Sequence, residues 1–323
     1  MAHWQPTASL ETLRFRAELL SGIRQFFNDR NVMEVDVPVL AETGVTDLHI
    51  DCIQAQVSGD VQYLQSSPEF FMKRLLASGI GSIYSLGKAF REGELGRRHN
   101  PEFTLLEWYR LDWDEYQLMD EVAGLIKKLG LECPHLVMTY KDIFEQVTGL
   151  NPHQTSLMNI QRLASDSAGR DFSAESRSTC LDLIFSFVVE PQLPEGLVFI
   201  HDYPACQSAL ARLGEDKQGN TIARRFEAYL NGMELANGYY ELVDVVEQKS
   251  RFDADIALRK MAGKQVMSMD NNLLAAMESG LPVCAGVALG VDRLLMQMLG
   301  FDEISQVMSF GQMDSHSAGP HIE

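Results

Sequence analysis

The chain has 323 residues, 46% of them hydrophobic, and a formal net charge of −18. That is ample apolar content for a buried core in one large domain or two small ones, and no run reaches the ~20 uninterrupted apolar residues of a transmembrane helix. The acid surplus argues weakly against a nucleic-acid partner, since a bound polyanion must then meet locally placed cations; it suits a metal ion or a cationic substrate.

The opening residues, Met1-Ala2-His3-Trp4-Gln5-Pro6, have no basic region leading into an apolar run, so no signal peptide is expected. Cys52, Cys133, Cys180, Cys206 and Cys284 are scattered and form no Cys-x-x-Cys pair. That pattern fits reduced thiols in the cytoplasm.

In chain order, Leu13 to Asn31 is the first amphipathic run, with Leu19, Ile23, Phe26 and Phe27 at helical spacing. Val35 to Val39 reads as a short strand that Pro38 confines to an edge or an end. Ser67, Pro68 and Glu69 read as N-cap, N1 and N2 of a helix closed by Gly79. From Ile83 to Asp112 two extended stretches flank a polar loop, Glu92 to Pro101. Residues 113–185 are mostly helical in pattern. Phe199 to Tyr203 is a strand, and Arg225 to Val245 is β-rich around an Asn231-Gly232 hairpin turn. Helices follow at Gln248 to Met261 and Asn271 to Glu278, and Val283 to Leu299 is a strand running into a helix that ends at Gly300. No Pro/Gly/Ser-rich linker splits the chain, so residues 1–323 are expected to form a single α+β domain with an antiparallel sheet.

Three stretches carry chemistry. Before the polar loop, period 2 places Ser85, Gly87, Ala89 and Arg91 on one face, a floor of small residues ending in a guanidinium. On the return strand Phe103, Leu105, Glu107 and Tyr109 share a face, an aromatic ring, a carboxylate and a phenol fit to hold a purine and an amine. The plain alternative is a hairpin with a solvated charged loop.

Around the Asn231-Gly232 turn, Tyr229 is expected to face Glu234 and Glu227 to face Ala236, so that Glu227 and Glu234 are diagonal neighbours. Two carboxylates so placed repel unless a cation lies between them, and all-oxygen ligands point to Mg²⁺ shared with a triphosphate. The plain alternative is a strand pair with its carboxylates in water. In the third stretch, Gly286, Ala288 and Gly290 share a strand face open to close ligand approach, and Arg293 falls in the first turn of the next helix, where phosphate is favoured. Plain helix–sheet packing also uses such glycines, but all three stretches converge on a nucleoside triphosphate.

The stretch Arg91 to Tyr109 resembles motif 2 of class II aminoacyl-tRNA synthetases, within about 83–112, and Gly286 to Arg293 resembles motif 3, within about 283–299. Residues 19–38 resemble motif 1, the dimer-forming helix and strand. The wording His99-Asn100-Pro101-Glu102-Phe103-Thr104, Glu234-x-x-Asn237-Gly238 and Ser67-Pro68-Glu69 is closest to lysyl-tRNA synthetases. No residues are left for an anticodon-reading domain. Gly232 to Gly238 and Leu105 to Arg110 are nearer still to the elongation factor P–(R)-β-lysine ligase family.

The resemblance implies a class II aminoacyl-tRNA synthetase catalytic core, an antiparallel β-sheet flanked by helices, acting as a cytoplasmic homodimer that uses ATP and Mg²⁺. Its substrate would be (R)-β-lysine and its acceptor a lysine of elongation factor P, with tRNA unlikely and no membrane involved. By matching position, Arg91 would hold the α-phosphate and the substrate carboxylate, and Arg293 the γ-phosphate. Asn100 would contact ATP, Phe103 would stack on adenine, His99 would lie near the phosphates, and Gly290, Leu235 and Asn237 would border the nucleotide. Glu227 and Glu234 would ligate Mg²⁺. Glu69, with Ser67 and Pro68, would hold the backbone-side amine, and Tyr109 and Glu241 the ε-ammonium. Ala288 stands where lysyl-tRNA synthetases have glycine, beside the substrate amine. The motif 2 Arg-x-Glu is here Arg91-Glu92-Gly93, with a glutamate only at Glu94, which leaves backbone contacts at Glu92 and Gly93.

Overall fold

The computed structural model describes residues 4–312 of the expected 1–323 unit; Met1 to His3 of the opening read for a signal lie outside the described residues. The helices are α1 (Leu10–Asn28), α2 (Glu69–Ala77), α3 (Glu115–Lys128), α4 (Tyr140–Thr148), α5 (Leu157–Ala168), α6 (Arg177–Ile184), α7 (Val245–Met261), α8 (Asn271–Gly280) and α9 (Val291–Leu299). The strands are β1 (Met33–Glu34), β2 (Leu40–Ala41), β3 (Gln54–Val57), β4 (Asp60–Leu64), β5 (Ile83–Phe90), β6 (Glu102–Leu111), β7 (His135–Thr139), β8 (Leu197–Pro204), β9 (Leu213–Glu215), β10 (Thr221–Leu230), β11 (Met233–Tyr240) and β12 (Cys284–Gly290).

Nine strands form one sheet in the order β1-β5-β6-β12-β11-β10-β8-β7, with β9 on β10, and β2, β4 and β3 form a small second sheet. The six central strands are antiparallel, as expected, but β1 on β5 and β7 on β8 add parallel pairs at the two edges. The fold is α+β.

One face of the large sheet is covered by a core in which Phe26 and Phe27 of α1, Leu118 and Val122 of α3, and Leu294 and Leu295 of α9 meet Trp108, Phe226 and Val287. The opposite face is covered only at its ends. Tyr140, Phe144, Ile184 and Phe185 pack on Val198, Ile200 and Tyr229 at one end. Met72, Leu76, Phe252 and Leu273 pack on Ile83, Tyr109 and Cys284 at the other. The middle of that face, β5-β6-β12-β11-β10, is left for the site.

Several boundaries move. α1 begins three residues early because Ser9 Oγ accepts the Thr12 N–H, and it ends at Asn28. α2 begins at Glu69 with Pro68 in the cap position; Ser67 Oγ still accepts the Glu69 N–H at 3.0 Å. The β-branched 35–39 segment is not itself a strand: β1 lies just before it, and only the Val35 N–H extends the ladder, to Tyr84 O. β7, inside the region expected to be helical, is a short, largely exposed edge strand without alternation.

A buried cluster ties together three elements that carry the site. Asp292, in the first turn of α9, accepts the Thr104 backbone N–H of β6 at 2.6 Å and pairs with Arg16 of α1 at 2.6 Å. Arg16 also donates to Thr104 Oγ1 at 2.6 Å.

Candidate active site

The turn at Asn231 and Gly232 is where the sequence places it, with both residues at positive φ (49° and 72°), the geometry of a two-residue hairpin. Tyr229 faces Glu234 as expected, but Glu227 faces Asn237, not Ala236. A bulge beyond Ala228 absorbs Leu235, whose side chain enters the core below while its carbonyl lies beside Gly290. The extra residue puts Glu234 and Asn237, three apart, on the same face as Glu227.

Across that face the ladder aligns Asn237 with Ala288, Ala288 with Glu107, and Glu107 with Ser85. One row over, Tyr239 aligns with Gly286, Gly286 with Tyr109, and Tyr109 with Ile83. In the other direction Gly290 lies beside Leu105 and Leu105 beside Gly87. The floor read from β5, β6 and β12 therefore exists, with one correction. A Cβ on Gly87 would meet nothing within 4 Å and one on Gly290 nothing nearer than 3.8 Å, but one on Gly286 would lie 2.3 Å from the Tyr109 ring and 2.5 Å from Glu241 Oε1. The space above Gly286 is filled by protein, so its smallness serves the pocket wall and not ligand approach.

At the Gly290 end two guanidiniums and an imidazole gather. Arg293 donates from Nη1 to the Glu234 carbonyl at 2.9 Å, and its Nη2 lies 2.5 Å from His99 Nε2. Loss of surrounding water, then the Arg293 charge, holds the His99 pKa below its ordinary value, consistent with a neutral ring that accepts from the guanidinium. Arg91 reaches Glu94 at 3.4 Å, lies 5.1 Å from the Phe103 ring centre, and keeps a buried Nε without a partner among the described residues. Glu94 thus meets the guanidinium that the missing glutamate at 93 does not. Glu92 contributes its N–H to Asp51 O at 2.8 Å, and Gly93 turns the chain at φ 77°. Asn100 is buried, and its amide is used within the protein: it donates to Glu102 O at 2.6 Å and accepts the Gln312 N–H at 2.9 Å.

Glu227 accepts from the Arg225 guanidinium and, at 2.5 Å, from the Tyr229 hydroxyl. Burial and then the Glu227 charge raise the Glu234 pKa. The Asn237 Oδ1, directly across from Glu227, is buried without a donor among the described residues. Two repelling carboxylates and an orphaned amide oxygen fit an oxygen-ligated cation. Among the described residues no third His, Cys, Asp or Glu completes a cage, so such an ion would take its remaining ligands from phosphates and water, the usual habit of Mg²⁺.

At the Gly286 end lies a largely buried polar cluster. Glu107, buried, accepts from Ser67 Oγ at 2.8 Å and from Tyr109 Oη at 2.8 Å. Burial, then the Glu69 charge, pushes its pKa up to about 8. Glu241, 1% exposed, pairs with Lys73 Nζ at 2.7 Å, and the same ammonium meets Glu69 Oε1 at 2.7 Å. Burial raises Glu241 to about 7 although Lys73 opposes it. Burial lowers the Lys73 pKa, but Glu241 and Glu69 outweigh it and hold the ammonium above its ordinary value. Lys73 was not singled out in the sequence, and Glu107 was noted only as a face residue. Lys73 sits one helical turn after Glu69, the one local signal that could have found it.

The family model for class II tRNA synthetases (D, K and N) matches residues 2–314. The chain is 46% identical over 318 residues to the elongation factor P–(R)-β-lysine ligase of Vibrio parahaemolyticus, covering 95% of this chain and 98% of that one. It is 43% identical over 317 residues to the protein of the same name from Pasteurella multocida, covering 96% and 97%. With that match along nearly its whole length, the chain belongs to the class II tRNA synthetases and, among them, to the elongation factor P–(R)-β-lysine ligase family.

Proposed function

We propose that this protein is an ATP-dependent, AMP-forming ligase that activates (R)-β-lysine and joins it to the ε-amine of one lysine on elongation factor P, a post-translational modification supporting translation. The observation that carries this reading is a single sheet face with two unlike ends. Arg91, Arg293 and His99 crowd one end, and the carboxyl groups of Glu69, Glu107 and Glu241 cluster at the other. A diamino acid lying between them presents its carboxylate toward the guanidiniums and its amines toward the acids.

In the first step a carboxylate oxygen of β-lysine attacks the α-phosphorus, the bond to the β-phosphate breaks, and pyrophosphate leaves. In the second the acceptor amine attacks the acyl carbon, the bond to AMP breaks, and an amide remains. Arg91 steadies the charge on the α-phosphate and Arg293 that on the γ-phosphate, with Phe103 stacked on adenine and Gly290 beneath the nucleotide. Mg²⁺ held by Glu227 and Glu234 would neutralise triphosphate charge. Catalysis is then positioning and electrostatics, with no protein nucleophile. Ser67, Glu69, Tyr109 and Glu241 hold the amines, and burial of unpaired carboxylates penalises a neutral analogue.

A catalytically silent lysine-binding paralogue should have lost phosphate-binding or metal-binding groups, and Arg91, Arg293, Glu227 and Glu234 are all present. No helix among the described residues is long and apolar enough to cross a membrane. The proposal places the protein in the cytoplasm as a homodimer of single-domain chains paired through residues 19–38. Incubation with Mg-ATP, labelled β-lysine and purified elongation factor P should give a base-stable adduct that is lost when the acceptor lysine is changed to arginine. Label found instead on lysine tRNA as a base-labile ester, with the factor unmodified, would establish a truncated lysyl-tRNA synthetase.

A further inference from the structure

Lys73 is a lysine with 1% exposure, deep in α2, whose ammonium pairs with two carboxylates, Glu69 Oε1 and Glu241 Oε2, each at 2.7 Å. The Glu241 carboxylate is split in function. Its Oε2 faces Lys73, while its Oε1 lies against Gly286, in the wall beside Tyr109. Glu107, the third acid, receives only the Ser67 and Tyr109 hydroxyls, and no cation pairs with it among the described residues.

We infer that Lys73 is a positioning residue, a built-in cation that holds the Glu69 and Glu241 side chains in place while leaving the cluster with more acid than base, the complement of an amino acid bearing two ammonium groups. This rests on the reading that Glu69 and Glu241 receive the substrate's amines. Three carboxyl groups stand against one ammonium, so the cluster has acid to spare for a second cation. Without Lys73 the buried Glu241 and the half-buried Glu69 would lose their shared counter-ion, and protonation would compete with substrate. Lys73 takes one oxygen of each acid, Glu69 Oε1 and Glu241 Oε2, which leaves the second oxygen of each for another donor. Glu69 and Lys73 share a helix face four residues apart, with the acid N-terminal, the favourable order for such a pair.

The test uses the full chain carrying Lys73→Met, Lys73→Arg, or Lys73→Met with Glu69→Gln. Thermal melting and the pH profile of kcat/KM in ATP–pyrophosphate exchange with β-lysine are the readouts. Lys73→Met should raise KM about tenfold or more with a smaller fall in kcat, and move the acid limb upward by about one pH unit as Glu241 loses its counter-ion. Lys73→Arg should leave that limb near its original place. Lys73→Met should also lower Tm, and adding Glu69→Gln should restore part of it by removing the unpaired acid. Should Lys73→Met not fold, rescue by Glu69→Gln still supports a charge role. A double variant no more stable than the single one, or a Lys73→Met enzyme with its original KM and acid limb, would overturn the inference. Absence of exchange by the unaltered protein with any diamino acid would instead sink the functional reading, and the melting comparison would still decide the part played by Lys73.

Discussion

Gly286 on β12 and Tyr109 on β6 are cross-strand neighbours so close that a methyl group on the glycine would lie 2.3 Å from the phenol ring. The same methyl would meet Glu241 Oε1 at 2.5 Å. Tyr109 is buried and its hydroxyl is bound to Glu107, so the ring has nowhere to go without breaking that bond.

Gly286→Ala should therefore damage the amine pocket at a distance from the nucleotide end. Overpacking of this kind costs about 1–3 kcal/mol. The variant is expected to melt lower and to show a raised KM for β-lysine with little change in KM for ATP. Gly290→Ala is its control, because a Cβ there has 3.8 Å of clearance within the protein. That enzyme should fold normally and lose ATP affinity. If both glycines affect the same KM, the division of the floor into two ends is wrong.

Glu107 gives a pH-dependent stability with a definite sign. Its folded pKa, raised by burial to about 8, lies above the ordinary carboxylate value. The folded state therefore holds a proton that the unfolded chain has lost, and stability contributed by this group falls as pH rises from about 4.5 through about 8. Denaturant melts of the ligand-free protein across that window should show the decline, and Glu107→Gln should flatten it. A steeper decline in the variant would refute the assignment.

Much of this site was legible because its parts are local. The strands 83–90 and 102–111 announce themselves by period 2 around a polar loop, and Asn231-Gly232 by turn chemistry. The bulge that brings Asn237 opposite Glu227 has no marker in the residues themselves, since Leu235 is an ordinary strand residue whose extra step only the neighbouring strand reveals. Lys73 was hidden for a similar reason: its burial depends on Glu241, far along the chain, and an isolated helix would show it as one more surface cation. The amine pocket came from resemblance, because no periodicity links Glu69, Tyr109 and Glu241. β7 was missed because an exposed parallel edge strand has no apolar alternation to read.

Arg259 is expected to matter without touching the site. Fully buried in α7, it donates to the carbonyls of Asp47, Ile50 and Gln265 and pairs with Asp51 at 2.7 Å. Asp51 in turn accepts the Glu92 N–H of the motif 2 loop. Arg259→Met leaves the three carbonyls without that donor, while Asp51 keeps Lys264 at 2.9 Å, and should cost about 3 kcal/mol. Below its lowered Tm, the variant should show a raised KM for ATP, because the loop carrying Arg91 and His99 loses its anchor. A lowered Tm with an unchanged KM would show that the clamp supports the fold alone.

Ala288 lies in the middle of the floor, level with Asn237 on β11 and Glu107 on β6, between the two ends of the site. Its methyl group stands on the row where the proposed reading puts the substrate's backbone, at the position where the resemblance gives lysyl-tRNA synthetases a glycine. Moving an amine from the α to the β carbon changes the shape needed at that point by about one methylene. Discrimination by a group of that size is worth about 1–3 kcal/mol, or roughly ten- to 200-fold. Ala288→Gly removes the methyl without altering the charges of Glu69, Glu107 or Glu241. Pyrophosphate exchange should then improve for α-lysine relative to β-lysine, while leucine and norleucine remain poor because the acids are untouched. A ratio of α- to β-lysine that does not move would remove Ala288 as the selector, and a gain for norleucine would mean that the methyl guards the pocket's charge balance and not its shape.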